Sequence, residues 1–538
     1  MKILARIARL LAFDDKKSEF ELLETEEGSP PFFASQTHDR PTAKKKTPPP
    51  CNITASLKES MEQLKRDFRA DINSDLTVRG FMMGGAKGKT VPAMLAFING
   101  MVDKDTINDF ILRESMRDGC LDAATAPLCE FVIKRIFTMN EMQMETDWNL
   151  IKAAMLDGST AIFIEGEDAA ILADTRGYEH RSIGTAQNEK VVRGPQEGFN
   201  ENMRTNITLL RRLIRREDLV CEQRDAGGEN NLKLCIVYLE GTANITLVEE
   251  VKRRLGGVNT RVLLNAGMLE QLTESRRRAP FPQVLSTERP DRTAAFLMQG
   301  YVAVLIEGNP FASIMPTTLW SLMSSSEDAY LRQPEGNVVR VIRYIGALLS
   351  ILLPGYFLAL TLFHPGLLST EVVSTIISSR EMVFLPIAVE MIFLMAVFQL
   401  IREAGLRVPG NFGQAIGIIG GLILGQAAVA ANLASSVILI VVAFAGLGNF
   451  CIPDFSMQIS ASYLRLGIVL AAWLAGLLGV ICFVVLILGY MVQLKSYGVP
   501  FLAPVAPKVF SKQPPIFRGA VTMQGRAPDI ANTQERGA

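Results

Sequence analysis

Between Tyr344 and Leu494 only nine residues carry a charge, and no other feature restricts the fold of this chain so strongly. Ile345–Phe363 has none, Val383–Ile401 has only Glu390, the 46 residues Val408–Pro453 have none, and Leu466–Leu494 has none. A helix crosses the hydrocarbon of a bilayer with roughly 20 apolar residues, because its backbone bonds are satisfied internally. The first, second and last runs are therefore expected to cross once each. The third is long enough for two crossings, or for one crossing and a re-entrant hairpin. Four such runs in succession outweigh the alternative of buried helices in a water-soluble core.

Flanking charge sets the orientation, since Arg and Lys accumulate on the cytoplasmic side. Arg340 and Arg343 precede the first run, and Arg402 and Arg407 follow the second. The intervening loop His364–Glu381 carries one Arg against two Glu. The tail carries Lys495, Lys508, Lys512, Arg518, Arg526 and Arg536 against Asp529 and Glu535. N-terminal region and tail are thus both expected in the cytoplasm. That requires an even number of crossings, with part of Val408–Pro453 re-entrant.

Lys plus Arg and Asp plus Glu balance at 55 each, which leaves no basic excess for nucleic acid. The seven cysteines form no C-x-x-C pair and no disulfide framework, so they read as thiols in a reducing compartment. Met1–Phe13 is basic and apolar, but Arg6 and Arg9 interrupt it and no small-residue cleavage site follows. A short interfacial helix fits better than a signal peptide. Asp14–Pro50 is polar and ends KKKTPPP, the composition of a disordered linker. The expected organisation is a disordered segment 1–51, α/β subdomains 52–190 and 191–338, a helical membrane domain 339–495 and a cytoplasmic tail 496–538.

The two subdomains are related. LDGSTAIFIEGEDAAIL (Leu156–Leu172) matches MQGYVAVLIEGNPFASI (Met298–Ile314), pairing Gly158 with Gly300, Glu165 with Glu307 and Gly166 with Gly308. Ala93–Ile111 matches Leu234–Lys252 at nearly the same offset, pairing Gly100 with Gly241. Each unit reads as a strand, a Gly turn and a helix, then a two-stranded hairpin around Glu-Gly. The paired glutamates occupy equivalent turns, which gives them a structural role.

Signals for chemistry are weak. GGAKGKT (Gly84–Thr90) lacks the first glycine of a phosphate loop, because Met83 stands there, and it precedes the strand Pro92–Ile98. A hairpin turn is the better reading. His38, His180 and His364 lie apart with no second ligand at metal spacing. No nucleophile–base pair stands out, so no enzyme, cofactor or metal is expected.

Two segments remain distinctive: VVRGPQEGFNENMRTNITLLRRLIRR (Val191–Arg216), a Gly-Pro turn leading into a basic amphipathic helix, and the Pro-punctuated APFPQVLSTERPDR (Ala279–Arg292). The first resembles the G-P-x-E-G-F-x-E-x-x-R-T-N signature of GerA spore germination proteins, A subunit. Gly194, Pro195, Glu197, Gly198, Phe199, Glu201, Arg204, Thr205 and Asn206 carry that match, with Gln196 where the family usually has Arg. The second resembles the family's F-P-Q-V-x-x-T-E-R-P-D-R at Phe281–Val284 and Thr287–Arg292, which includes Glu288, Arg289, Pro290, Asp291 and Arg292. REAGLRVP (Arg402–Pro409), IGIIGGLILGQAAV (Ile416–Val429) and SYGVPFLAP (Ser496–Pro504) continue it.

The resemblance implies a germinant-receptor subunit in the inner spore membrane. Its partners would be a transporter-like B subunit and a lipoprotein C subunit. It also implies a homo-oligomer, a pentamer, working as a nutrient-gated ion channel. A stage V sporulation relative associated with dipicolinate release shares the same motifs. From another class, a secondary transporter would use Gly-interrupted spans around a midplane site, but no membrane repeat supports it.

Three sets of residues follow as candidates. Gly413, Gly417, Gly421 and Gly425 recur every four positions, a stripe that permits close helix approach in lipid. Arg204, Arg211, Arg212, Arg215 and Arg216 crowd one helix with Ile207, Leu210 and Ile214 at core spacing, a candidate tie between subdomains or subunits. Glu390, near the middle of its run, would form a carboxylate ring in an oligomeric cation pore, with Gln399, Gln414, Gln426 and Asn449 as further polar groups. The alternative for Glu390 is a hydrogen bond to a neighbouring helix.

Overall fold

The computed structural model describes residues 52–507 and 516–517, apart from 85–89, 118–119, 122–126, 140, 178–183, 187, 228, 230, 259 and 408–424. The expected interfacial helix and linker, and Gly413, Gln414, Gly417 and Gly421, lie outside these residues.

Two units of identical topology come first. In the first, α1 (Leu57–Asp67) precedes β1 (Leu76–Met83) and β2 (Val91–Ile98). Next comes α2, which runs from Lys104–Thr106 through a π turn, Ile107–Leu112, into Arg113–Ser115. Then follow α3 (Leu128–Arg135), β3 (Met142–Glu145), α4 (Trp148–Leu156), β4 (Thr160–Ile164) and β5 (Ala170–Ala173). The second unit repeats the series as α5 (Met203–Leu213), β6 (Leu219–Ala226), β7 (Leu232–Leu239), α6 (Ile245–Gly256), α7 (Ala266–Thr273), β8 (Leu285–Thr287), α8 (Pro290–Leu297), β9 (Val302–Ile306) and β10 (Ala312–Met315). The sheets have matching orders, β1-β2-β4-β5-β3 and β6-β7-β9-β10-β8, antiparallel throughout.

The central strands explain the continuous apolar runs. In β2, Ala93, Leu95 and Phe97 enter the core on one face while Met94, Ala96 and Ile98 enter the core on the other. β7 divides likewise, with Cys235, Val237 and Leu239 opposite Leu234, Ile236 and Tyr238. A strand covered on both faces loses the polar alternation of a half-exposed one.

Glu165 and Glu307 do the same job in each unit. Glu165 accepts from the Leu57 N–H at the start of α1 (3.1 Å), and Glu307 accepts from the Met203 N–H at the start of α5 (3.3 Å). Beside them, Gly166 N donates to Ala55 O and Gly308 N to Glu201 O, at 2.9 and 2.8 Å. Both glycines have positive φ, +90° and +76°, which a side chain rarely tolerates. The GGAKGKT segment joins β1 to β2, whose register closes at Met83↔Val91. It therefore has a strand on each side, not only after it, and no helix follows on which a phosphate loop would depend.

Short helices α9 (Leu319–Met323) and α10 (Glu327–Tyr330) lead into the apolar part. This comprises α11 (Gln333–Phe363), α12 (Thr370–Arg380), α13 (Ile387–Arg407), α14 (Ser436–Phe450) and α15 (Phe455–Gln493). α15 is not straight: Ala475 and Gly476 leave helical geometry, Gly476 at φ 59° and ψ −139°. A Cβ on Gly467 would meet the Phe483 ring at 2.3 Å, and one on Gly479 would meet Ala471 O at 2.1 Å. In a continuous helix residues 467 and 483 would be about 24 Å apart. The last apolar run, expected as one crossing, is therefore the turn and return of a helical hairpin. Glycine permits both the positive φ and the close backbone approach.

Both feet of the hairpin rest on the second unit. Met457, Ala461, Leu464, Met491, Leu494 and Phe501 join the same core as Cys235, Phe281 and Leu305. After the hairpin, β11 (Lys495–Ser496) and β12 (Val499–Pro500) dock there as well. The Thr317 N–H donates to Ser496 Oγ (2.9 Å), and Ser496 Oγ donates to Gln283 O (2.6 Å). Residues 496–507 are thus held against the α/β unit, which the reading of a plain tail did not anticipate.

Candidate functional site

The basic helix α5 begins where Asn202, its N-cap, accepts from the Arg204 and Thr205 N–H groups. Its residues Met203 and Thr205–Arg211 are buried. The tie between units is made by Arg211, which is 1% exposed. Its guanidinium grips Asp75 of the first unit through Nε–Oδ2 at 2.7 Å and Nη2–Oδ1 at 3.1 Å, and Nη2 also donates to Leu219 O at 2.6 Å. Asn73 reinforces the join by accepting from the Cys221 N–H (3.2 Å). Arg204 is exposed on the opposite edge. There it lines a cleft of about 510 Å³ between the units, with Asn99, Gly100, Lys104, Thr208 and Arg212. The same cleft includes Asp103 and Asp105, so it presents both signs of charge.

The two signature segments meet below this cleft. Arg289 is fully buried, chelates Asp291 (Nε–Oδ1 3.1 Å, Nη2–Oδ2 2.9 Å), and donates to Glu189 O and Pro195 O at 3.1 and 2.9 Å. The Phe199 N–H donates to Glu288 O (2.8 Å), and the Glu288 carboxylate accepts from the N–H groups of Asn188 and Glu189. Gly194, at φ +118°, packs so tightly on Tyr330 that a Cβ would lie 2.6 Å from its ring. Tyr330 in turn donates its hydroxyl to Asp291. Gly198 lies against the Ala186 backbone, while Asn206 exchanges hydrogen bonds with the Asn200 backbone. Glu197 pairs with Arg212 at 3.5 Å, and Glu201 is exposed. Pro290 opens α8, where its missing N–H costs nothing.

From this knot the hydrogen bonds run to the apolar helices. Arg292 pairs with Glu189 (3.3 Å) and donates Nη2 to Ser321 O and Ser324 O at 3.1 and 2.8 Å. Asp328 on α10 accepts two bonds from Arg343 (2.9 and 3.0 Å) and one from Arg340 (2.9 Å), both on α11. Burial works against the Asp328 carboxylate, but Arg343 and Arg340 outweigh it and hold its pKa below the usual range. Burial pushes Glu270 on α7 up to about 7; Ser313 opposes that shift, and Glu274 and Asp454 add to it. Asp454, the N-cap of α15, is also raised by burial.

In the apolar part Glu390 lies in the first turn of α13, because the helix starts after Pro386 at Ile387 and not at Val383. It is fully buried within this chain. Its carboxylate accepts from the Ser435 N–H at the start of α14 (2.5 Å) and from Arg380 Nε (3.2 Å). Gln399 is half-buried and Gln426 exposed, so the structure does not gather them around Glu390. Asn449 is buried at the opposite end of α14, and a Cβ on Gly425 would only touch Leu439 at 3.5 Å.

Asp75, Glu189, Asp328 and Tyr330 were not candidates from sequence. Asp75, Glu189 and Tyr330 lie about 100 residues or more along the chain from the arginine or glycine they serve, and Asp328 lies 12 and 15 residues from its arginines across a break between two helices, so nothing local marks them. Arg343 and Arg465 were visible as charges beside apolar runs, but their partners were not.

The Bacillus/Clostridium GerA spore germination protein family matches residues 62–530. Spore germination protein KA of Bacillus subtilis (strain 168) is 31% identical over 464 residues, 86% of this chain and 84% of that protein. Spore germination protein GerLA of Bacillus cereus is 32% identical, covering 84% and 92%. Spore germination protein A1 of Bacillus subtilis (strain 168) is 35% identical over 409 residues, covering 76% and 83%. The crystal structure of the N-terminal domain of the A subunit of the Bacillus megaterium spore germinant receptor GerK3 aligns at a TM-score of 0.40 with 26% identity, over 49% of this chain and 96% of that one.

Proposed function

We propose, because this chain belongs to the GerA family of spore germination proteins, that it is the A subunit of a germinant receptor. In this reading it sits in the inner spore membrane with a transporter-like B subunit and a lipoprotein C subunit. It assembles as a pentamer and opens an ion path in response to nutrient. The observation that carries the reading is the junction. The Arg289–Asp291–Tyr330 knot, Arg292 and the Asp328–Arg343 pair form one line of charge-assisted bonds from the signature segments to α11. A rotation between the units at the α5 tie would be felt along that line at the membrane helices.

The helices also support a topology. α11 leaves the α/β units and α13 returns; the arms of α15 leave and return, so the segment 495–507 ends where α11 began. With both ends of the apolar part on the α/β side, the total of crossings is even. The cleft, with Asp103 and Asp105 facing Lys104, Arg204 and Arg212, is suited to a small zwitterionic nutrient.

Asp328→Asn expressed in spores lacking the native chain tests the junction. The protein should be present at normal level while nutrient germination falls at least tenfold. Normal germination would remove the junction from the signal path. Single-channel recording of the purified assembly tests conduction, and silence with nutrient present would remove the channel reading.

A further inference from the structure

The apolar helices contain two guanidiniums for which no described residue supplies a counter-charge. Arg465 on α15 is 4% exposed and donates Nη1 only to Ala445 O (3.1 Å) and Ser350 Oγ (3.5 Å), both neutral. Arg402 on α13 donates Nη1 to the Asn449 amide oxygen at 3.0 Å, with that amide turned to donate to Gln458 O at 3.2 Å. Ala445 and Asn449 are one turn apart on α14, so the two guanidiniums bond to adjacent turns of the same helix.

The carboxylates between Tyr344 and Leu494 are Glu371, Glu381, Glu390, Glu403 and Asp454. Glu371, Glu381 and Glu403 are exposed, and Glu390 pairs with Arg380 at the other end of the bundle. Asp454 caps α15 through the Met457 N–H, eleven residues or about 16 Å along the helix from Arg465. The stretch 408–424 contains no charged residue at all.

A buried cation without a partner is strongly unfavourable, and ionisable groups at membrane depth usually mark an ion or substrate path. We propose that Arg402 and Arg465 together hold a small monovalent anion, of chloride or formate size. At 4% exposure within one subunit, Arg465 is closed to a carboxylate of a neighbouring subunit and to a lipid phosphate. No described residue supplies the negative charge, and a solution anion small enough to pass the polar side chains can. The proposal requires the chain to be in a membrane but not that it conducts, so it stands or falls apart from the channel reading.

Binding of radioactive chloride to the full chain in nanodiscs tests it directly. In phosphatidylcholine discs, saturable binding should appear that bromide displaces and gluconate does not. Arg465→Gln should lower chloride affinity at least tenfold, and Arg465→Lys should keep part of it. Should Arg465→Gln fail to fold, the less buried Arg402→Gln must show the same loss. Absence of saturable chloride binding, or binding unchanged in the folded glutamine variant, overturns the proposal. Binding abolished by adding phosphatidylglycerol to the discs also overturns it, in favour of a lipid headgroup.

Discussion

Removing Asp75 should cost the α/β region far more than removing any exposed ion pair. The pair Arg211–Asp75 is bidentate, with side chains 1% and 6% exposed, and it joins residues 136 apart across the two units. Asp75→Ala leaves a guanidinium buried with only backbone oxygens, a loss of about 3–5 kcal/mol for pairs of this kind. For a region of this size that corresponds to a fall in Tm of roughly 6–20 °C. The control is Arg69–Glu240, also between units at 2.8 Å, but with side chains 52% and 35% exposed; Arg69→Ala should cost about 0–1 kcal/mol. Thermal unfolding of the full chain in detergent, followed by tryptophan fluorescence, gives both numbers. The combined change Asp75→Leu with Arg211→Met separates charge from position, since replacing a buried pair by apolar groups of similar volume is often neutral. If Asp75→Ala shifts Tm no more than Arg69→Ala, the tie is not where the structure puts it. If the apolar pair is as damaging as the single change, packing and not charge holds the units together.

Other outcomes follow from the same geometry. Glu270 has a folded pKa of about 7 against an ordinary 4.5, so the native state binds the extra proton and loses stability as pH rises through that interval. Glu270→Gln should therefore gain on the wild type between about pH 4.5 and 7, by up to about 3 kcal/mol at pH 8; a gap constant with pH refutes the shift. Gly476→Val forces a branched side chain into positive φ and against Phe363, at 2.8 Å from a Cβ, and should abolish a monodisperse purified protein. In a cysteine-free background, single cysteines at Leu474 and Val505 should react with an impermeant maleimide from opposite sides of the membrane; labelling from the same side would mean that the arms of α15 do not cross. Glu390→Gln strips Arg380 of its counter-charge and weakens the cap on α14, so thermal stability should fall, while reversal potentials in asymmetric potassium chloride stay unchanged. A lost cation preference would instead put Glu390 on the conduction path.

Local patterns carried much of the fold. Apolar runs long enough for membrane helices, turn glycines, the repeat at a near-constant offset and the signature segments are all properties of neighbouring residues. The strand, Gly turn and helix of each unit and its later hairpin followed from them, as did the structural role of Glu165 and Glu307, because a duplicated turn must serve a duplicated neighbour; the first and edge strands of each sheet did not. Family membership was legible in the two segments Gly194–Asn206 and Ala279–Arg292, since those residues are packed too closely to vary freely.

What the chain could not state locally was pairing at a distance. An apolar run reads the same whether it passes straight through or doubles back. Only the backbone of Ala475–Gly476 and the seat of Phe483 on Gly467 turn α15 into a hairpin. Glu390 read as a lone charge at mid-span until Arg380 and the Ser435 N–H came to it from other helices. The arginines of α5 were equivalent along the sequence, and burial alone singled out Arg211, because Asp75 lies opposite it and not opposite Arg204. Composition and spacing determine which segments form helices, strands and turns. Tertiary packing decides which charges meet, since a charge is neutralised by what folding brings to it and not by what precedes it in the chain.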